Sequence, residues 1–186
     1  MENKKSILRK IKQHERSLIP KSMRKSLSKK ICERIIKTNL YSKSSNIGCY
    51  YPIGSEVDVR FIFNNIFNKN KKLFLPKIKN KTIEFYMVEN LKNLEQNQFG
   101  ILEPKYDQYE MSNSLDVVIV PSIALTRHGT RLGYGKGYYD KFLSLYNHKT
   151  VSPIYSSQLI NFIPTSKYDV SIDYIVTEIS FFKSSY

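Results

Sequence analysis

The run "LDVVIVP" constrains the fold more than any other stretch of these 186 residues. Val117, Val118, Ile119 and Val120 are consecutive, and Leu115 precedes them across Asp116. A strand with one wet face alternates polar and apolar side chains. An unbroken apolar run instead demands burial on both faces, as in a parallel sheet covered by helices.

The rest of the chain supplies those helices and further strands. Ile7, Leu8 and Ile11 form a narrow helical stripe over about Lys4 to Gln13. After Pro20, which can open a helix, Met23, Leu27, Ile31 and Ile35 recur every fourth residue, and Cys32 and Ile36 broaden the buried face. Asp58 is placed to cap a helix running to about Asn68, carrying Val59, Ile62, Phe63, Ile66 and Phe67. Another is expected from about Gly137 to Tyr146, with Tyr138, Phe142, Leu145 and Tyr146 on one side. Strands are expected at "NIGCYY", at "KKLFLP" ending on Pro76, at "TIEFYMV", and near "TVSPIY" and "DYIVTEI". The stretch from Glu89 to Gln98 reads as a loop or short helix, and "KYDQYEMSNS" as an exposed connection. Alternating strands and helices predict an α/β fold: one domain over 1–186, with N-terminal helices at about 4–38 and an open, mainly parallel sheet with helices on both faces, a Rossmann-like three-layer arrangement.

Composition narrows the partners. Lysine and arginine total 30 against 16 acids, a net charge of +14, which favours anionic ligands. The cations recur throughout, interleaved with asparagine, so a nucleic-acid surface is the weaker explanation. No run approaches the roughly eighteen apolar residues of a membrane helix, and the cationic start lacks the apolar core of a signal peptide. Cys32 and Cys49 are expected as reduced, buried thiols of a cytoplasmic protein, and His14, His128 and His148 form no metal-spacing motif.

The chemistry concentrates in "RLGYGKGYYDKF", between the buried strand and the last helix, where open α/β sheets place ligands. Gly133, Gly135 and Gly137 alternate with Tyr134 and Lys136, so backbone N–H groups can approach phosphate oxygens at a helix N-terminus. Arg131 offers a planar fork and Lys136 a mobile point charge. The spacing matches neither a Walker A loop nor G-x-G-x-x-G, and a glycine turn with solvated cations would look similar in isolation. Position after a buried strand favours a phosphate-binding loop. Asp140 suits either helix-dipole stabilisation or Mg²⁺ beside a polyphosphate, with Asp169 or Asp173 as a second carboxylate. In "YYPIGSE", the tyrosines suit core or stacking on a heterocycle, and Glu56 suits a helix start.

The segment "PSIALTRHGTRLGYGKGYYDKFL" is similar to the signature of the 5-formyltetrahydrofolate cyclo-ligase family, in which Arg-Leu-Gly-x-Gly-x-Gly-Tyr-Tyr-Asp follows a buried strand. Other pieces fall in family order: Lys5 and Arg9, Tyr51 to Glu56, Gly100 to Pro104, then Gln158, Pro164 and Asp169. The family commonly carries Gly-Leu-Ala-Phe-Asp after the strand proline, where this chain has Ser122 to Thr126 and so lacks that acid. The resemblance implies an ATP- and Mg²⁺-dependent conversion of 5-formyltetrahydrofolate, with or without a polyglutamate tail, to 5,10-methenyltetrahydrofolate, carried out by a monomer. It implies that Lys5, Arg9, Arg131, Leu132, Gly133, Tyr134, Gly135, Lys136, Gly137, Tyr138 and Tyr139 line the nucleotide region. Arg131 and Lys136 would be its catalytic cations, and Asp140 and Asp169 would hold Mg²⁺. Tyr51, Glu56 and the Tyr134 to Tyr138 loop would meet the folate. Two other functions compete: a noncatalytic nucleotide- or folate-binding relative, suggested by Thr126, and a basic nucleic-acid-binding protein.

Overall fold

The computed structural model of the chain describes residues 2–98, 100–105, 112 and 114–185. Most of the connection expected over 105–114 lies outside those residues. The strand at "LDVVIVP" (β6, Val117–Ile119) sits in the middle of a seven-stranded sheet ordered β11-β10-β9-β6-β1-β2-β3. Its neighbours are β1 (Asn46–Gly48) and β9 (Lys149–Pro153), both parallel to it. Parallel pairing continues outward to β2 (Lys72–Lys79) and β10 (Tyr174–Val176). Antiparallel β3 (Thr82–Met87) and β11 (Phe181–Lys183) finish the edges.

Both faces of β6 are covered, as its apolarity requires. Val117 and Ile119 pack with Ile31, Cys32 and Ile35 of α2 (Lys21–Ile36) and with Ile62, Phe63 and Ile66 of α4 (Arg60–Asn68). Val118 and Val120 face Phe142 and Leu143 of α5 (Tyr138–Leu145). Phe142 is 1% exposed, and burial of such a ring contributes about 1.5–3 kcal/mol. Cys32 and Cys49 are free and buried in the first cluster.

Several local expectations are corrected. Helix α1 spans Glu2–Ser17, and only Leu8 of its stripe packs on a core cluster, that of Ile123, Ala124, Leu132 and Ile163; Ile7 is 53% and Ile11 48% exposed, while Lys5 and Arg16 are buried. Met23 and Leu145 are likewise exposed, the cores being filled by Ile31 and Ile35 in one case and Phe142 and Leu143 in the other. Strand β2 runs through Pro76, because pairing with β1 has ended by Phe74 and the missing N–H costs no ladder bond there. Asp58 accepts the N–H of Arg60 from just outside α4, whose N-cap position is Val59. His148 is half-buried, its ring stacked on Phe142.

Two hairpins escaped sequence reasoning: β4 (Leu94–Gln96) with β5 (Leu102–Pro104), and β7 (Ala124–Leu125) with β8 (Arg131–Leu132). A short helix α3 (Asn39–Ser42) precedes β1. Strand order reverses between β1 and β6, since the chain leaves β1 towards β2 and returns to β6 on its other side. That switch point is where open α/β sheets bind ligands, and residues after β1 and β6 flank the site.

Candidate active site

A cavity of about 850 Å³ opens at the switch point. One end is lined by Lys5, Arg9 and the 131–141 segment together with 166–170; the other by Tyr50, Tyr51, Ile53, Pro76, Ile78, Ile83, Leu102 and the acids Glu56 and Glu103. Every site residue named from the sequence lines this one cavity. Asp173 does not: its carboxylate accepts the Thr150 N–H and hydroxyl, tying β10 to β9.

At the charged end the glycine segment is shaped by its neighbours. Strand β8 places Arg131 inside, 8% exposed, where Nη1 donates to the Pro121 carbonyl at 3.2 Å and Nη2 to Asp140 Oδ2 at 2.7 Å. The guanidinium lies so close to Gly133 that a Cβ there would meet Nη1 at 2.5 Å. Arg9 donates to the Gly133 carbonyl at 2.9 Å and stands against Gly135, whose φ of +94° is open to glycine and strained for other residues. Gly137, at φ +68°, is the N-cap of α5, and a Cβ there would meet nothing, so the backbone at the helix start is open to the cavity. Lys136 is exposed and makes no hydrogen bond or ion pair among the described residues. Arg131 Nε and the Tyr139 hydroxyl are buried without a protein partner among those residues. Orphaned donors beside open helix N–H groups are the chemistry that phosphate oxygens satisfy.

Each carboxylate at this end is held by a cation. Asp140, besides Arg131, accepts the Val170 N–H at 3.2 Å. Asp169 accepts from buried Lys5 and from the Ser166 N–H, both on Oδ2. Burial alone would raise Asp169, but Lys5 and Ser166 outweigh it and hold the carboxyl below its ordinary range. No cluster of three or more His, Cys, Asp or Glu suited to a metal exists among the described residues. Two carboxylates suit Mg²⁺, which prefers oxygen ligands and completes its shell with phosphate and water.

At the other end the acids meet neutral donors. Glu56, 8% exposed, accepts from the Tyr134 hydroxyl at 2.7 Å and from the Ile53 N–H at 2.9 Å. Burial raises its carboxyl, and Ile53, Tyr134 and Arg16 pull it back only in part. Tyr51 packs on Phe63 and lies under Arg60, and it also lines the cavity. Glu56 lies before α4 and does not begin it, so its fixed partners account for its position.

Sequence reasoning missed Arg16. This buried residue of α1 donates to Ser55 Oγ at 3.0 Å, the Ser122 carbonyl at 3.3 Å and the Tyr134 hydroxyl at 2.9 Å, joining three loops around the cavity. A signal was present: Lys5, Arg9, Lys12 and Arg16 recur at helical spacing and define a cationic face. Thr126, where the resemblance would place an acid, is not among the residues lining the cavity and accepts the Thr130 N–H within the β7–β8 turn. Its side chain closes a hairpin, which removes the structural ground for reading it as a lost site residue.

The profile of the 5-formyltetrahydrofolate cyclo-ligase family matches residues 1–178. A Haemophilus influenzae 5-formyltetrahydrofolate cyclo-ligase is 30% identical over 138 residues, 70% of this chain and 74% of that one. The mitochondrial enzyme of that name from Arabidopsis thaliana is 28% identical over 186 residues, 84% of this chain and 67% of its own. Among solved structures, the Aquifex aeolicus 5,10-methenyltetrahydrofolate synthetase superposes with a TM-score of 0.87 at 34% identity, covering 96% of this chain and 92% of that chain.

Proposed function

Because the chain belongs to the 5-formyltetrahydrofolate cyclo-ligase family, we propose that it closes 5-formyltetrahydrofolate to 5,10-methenyltetrahydrofolate with ATP, releasing ADP and phosphate. The observation that carries this reading is the two-ended cavity: cations, open helix N–H groups and orphaned donors at one end, and apolar walls with two buried acids at the other. A polyphosphate suits the first end and a flat heterocycle the second. Free, buried Cys32 and Cys49 suit a reducing compartment, and the proposed compartment is the cytoplasm.

The chemistry asks for both ends at once. A formamide oxygen leaves poorly, so the γ-phosphoryl group transfers to it as the bond to the ADP oxygen breaks. N10 then attacks the formyl carbon, phosphate departs with that oxygen, and the proton on N10 is lost. Little covalent work falls to the protein, whose part is positioning and charge stabilisation. Gly133 to Gly137 present backbone to the phosphates; Lys5, Arg9 and Arg131 form fixed positive walls, and Lys136 can follow the phosphoryl group from its exposed position. Asp140 and Asp169 would hold Mg²⁺, which supplies charge neutralisation between the phosphates. Tyr134 spans the two ends, since its loop belongs to the phosphate side and its hydroxyl to Glu56 and Arg16. Tyr51 and Glu56 would orient the folate.

Purified protein given 5-formyltetrahydrofolate and MgATP should form methenyl product and ADP together. Well-folded protein that yields no ATP-dependent product sinks this function. Salt-sensitive oligonucleotide binding would move the assignment to nucleic acid.

A further inference from the structure

The apolar end of the cavity holds an acid that no step above uses. Glu103, on β5, is 5% exposed yet lines the cavity beside Pro76, Ile78, Ile83 and Leu102. Its Oε1 accepts from the Asn97 side-chain amide at 2.7 Å and, at 3.4 Å, from the Ile78 N–H. Its Oε2 accepts no hydrogen bond among the described residues, and no cation pairs with it there. Lys77, the basic group that acts on it through space, donates to Glu95 and to the Pro104 carbonyl. Oε2 of Glu103 is not sealed in the protein but reaches the cavity, where a ligand can supply the missing donor. Glu56, the neighbouring acid, already has a donor on each oxygen.

We propose that Glu103 recognises the pterin edge of the folate, its carboxylate accepting from the ring N3–H and the 2-amino group. The proposal rests on the folate-enzyme reading given above. Two parallel donors on one planar edge match the two oxygens of a carboxylate, the geometry that makes charge-assisted forks strong. The apolar side chains around Glu103 take the faces of the ring. Adenine matches less well: beside its amino group lies N1, an acceptor, which would face the second carboxylate oxygen lone pair to lone pair. The phosphate-binding groups also lie at the opposite end, so the folate is the occupant assigned here. Glu103 is thus a specificity residue in addition to a tether between β5 and β2.

The test compares binding of 5-formyltetrahydrofolate with binding of its 2-desamino-2-methyl analogue, in the wild type and in Glu103→Gln, with the ATP KM and thermal unfolding measured alongside. The wild type should prefer the natural folate by about 10- to 100-fold, the range for a hydrogen bond to a charged group. In Glu103→Gln, folate affinity should fall by about that factor, the preference should shrink to within about threefold, and the ATP KM should move by less than about twofold. A purely structural tether would not alter preference for the 2-amino group. Wild-type protein that binds both folates equally overturns the proposal, and this arm needs no variant to fold. Undiminished folate affinity in Glu103→Gln also overturns it, as does a change confined to ATP, which would give Glu103 to the nucleotide. Wild-type protein that neither binds nor converts folate overturns the enzyme reading and this proposal together; turnover without discrimination overturns the proposal alone.

Discussion

The two ends of the cavity handle buried acids in opposite ways. At the phosphate end, Asp140 is held by Arg131 and Asp169 by Lys5. At the heterocycle end, Glu56 and Glu103 are held by a phenol, a side-chain amide and backbone N–H groups. Charged partners keep a carboxylate ionised; neutral partners leave burial ahead, and both glutamates are raised. The difference fits the division of labour. On the proposed reading, the acids that would hold a cation need to exchange partners, whereas those that would face the folate ring need a fixed position.

The largest way to break this contrast is to remove Arg131, the more deeply buried member of its pair with Asp140. Arg131→Met strands Asp140 and should cost about 3–5 kcal/mol in urea unfolding as well as turnover, with Asp140→Asn added to it restoring part of the stability. Lys5→Met should lower kcat/KM for ATP about a hundredfold in initial-rate measurements, the scale for losing one preorganised charge donor, while folate binding without ATP persists. Lys136→Ala should weaken ATP use by about tenfold with Tm unchanged, because an exposed loop cation supports no core. Unchanged ATP kinetics would remove Lys136 from the phosphate site.

The smallest effect sharpens the neutral end. Since Glu56 binds its proton more tightly in the folded than the unfolded state, the stability from its neutral form is full below the unfolded-state value, about 4.3, and is lost as pH rises through the raised folded value. Glu56→Gln removes that slope. The stability difference between the two proteins should therefore move in favour of the variant as pH rises across that window, and parallel curves would mean that Glu56 is not perturbed by burial.

The sequence made the middle of the sheet legible because apolar content alone decides it: Val117 to Val120 admit no one-sided strand. The edges were harder. Strand β11 and the strands of the two small hairpins are only two or three residues long, too short to show a period, so their placement depends on what they pair with. Helix α1 misled for a physical reason. Its apolar stripe is real, but Lys5, Arg9 and Arg16 have partners at Asp169, Gly133 and Tyr134, and fixed ionic and hydrogen-bonded contacts outcompete a weak stripe of three aliphatics. Within the site, the glycine segment and Asp140 could be read from one motif, while Asp169 had to be sought in a separate segment, "KYDVSID", that also offered Asp173. The network through Arg16 and the half-partnered state of Glu103 could not, because both depend on residues far apart in the chain.

The anchoring of α1 has a consequence for the order in which the protein is made. Helix α1 comes before the sheet in the chain, yet the groups outside the helix that receive Lys5, Arg9 and Arg16 come more than a hundred residues later, apart from Ser55. With Ile7 and Ile11 facing water, it has little apolar surface with which to dock early. Contacts of such long separation form late in folding. Newly made chains should thus acquire their sheet before their nucleotide end, and catalytic competence should be the final event of maturation.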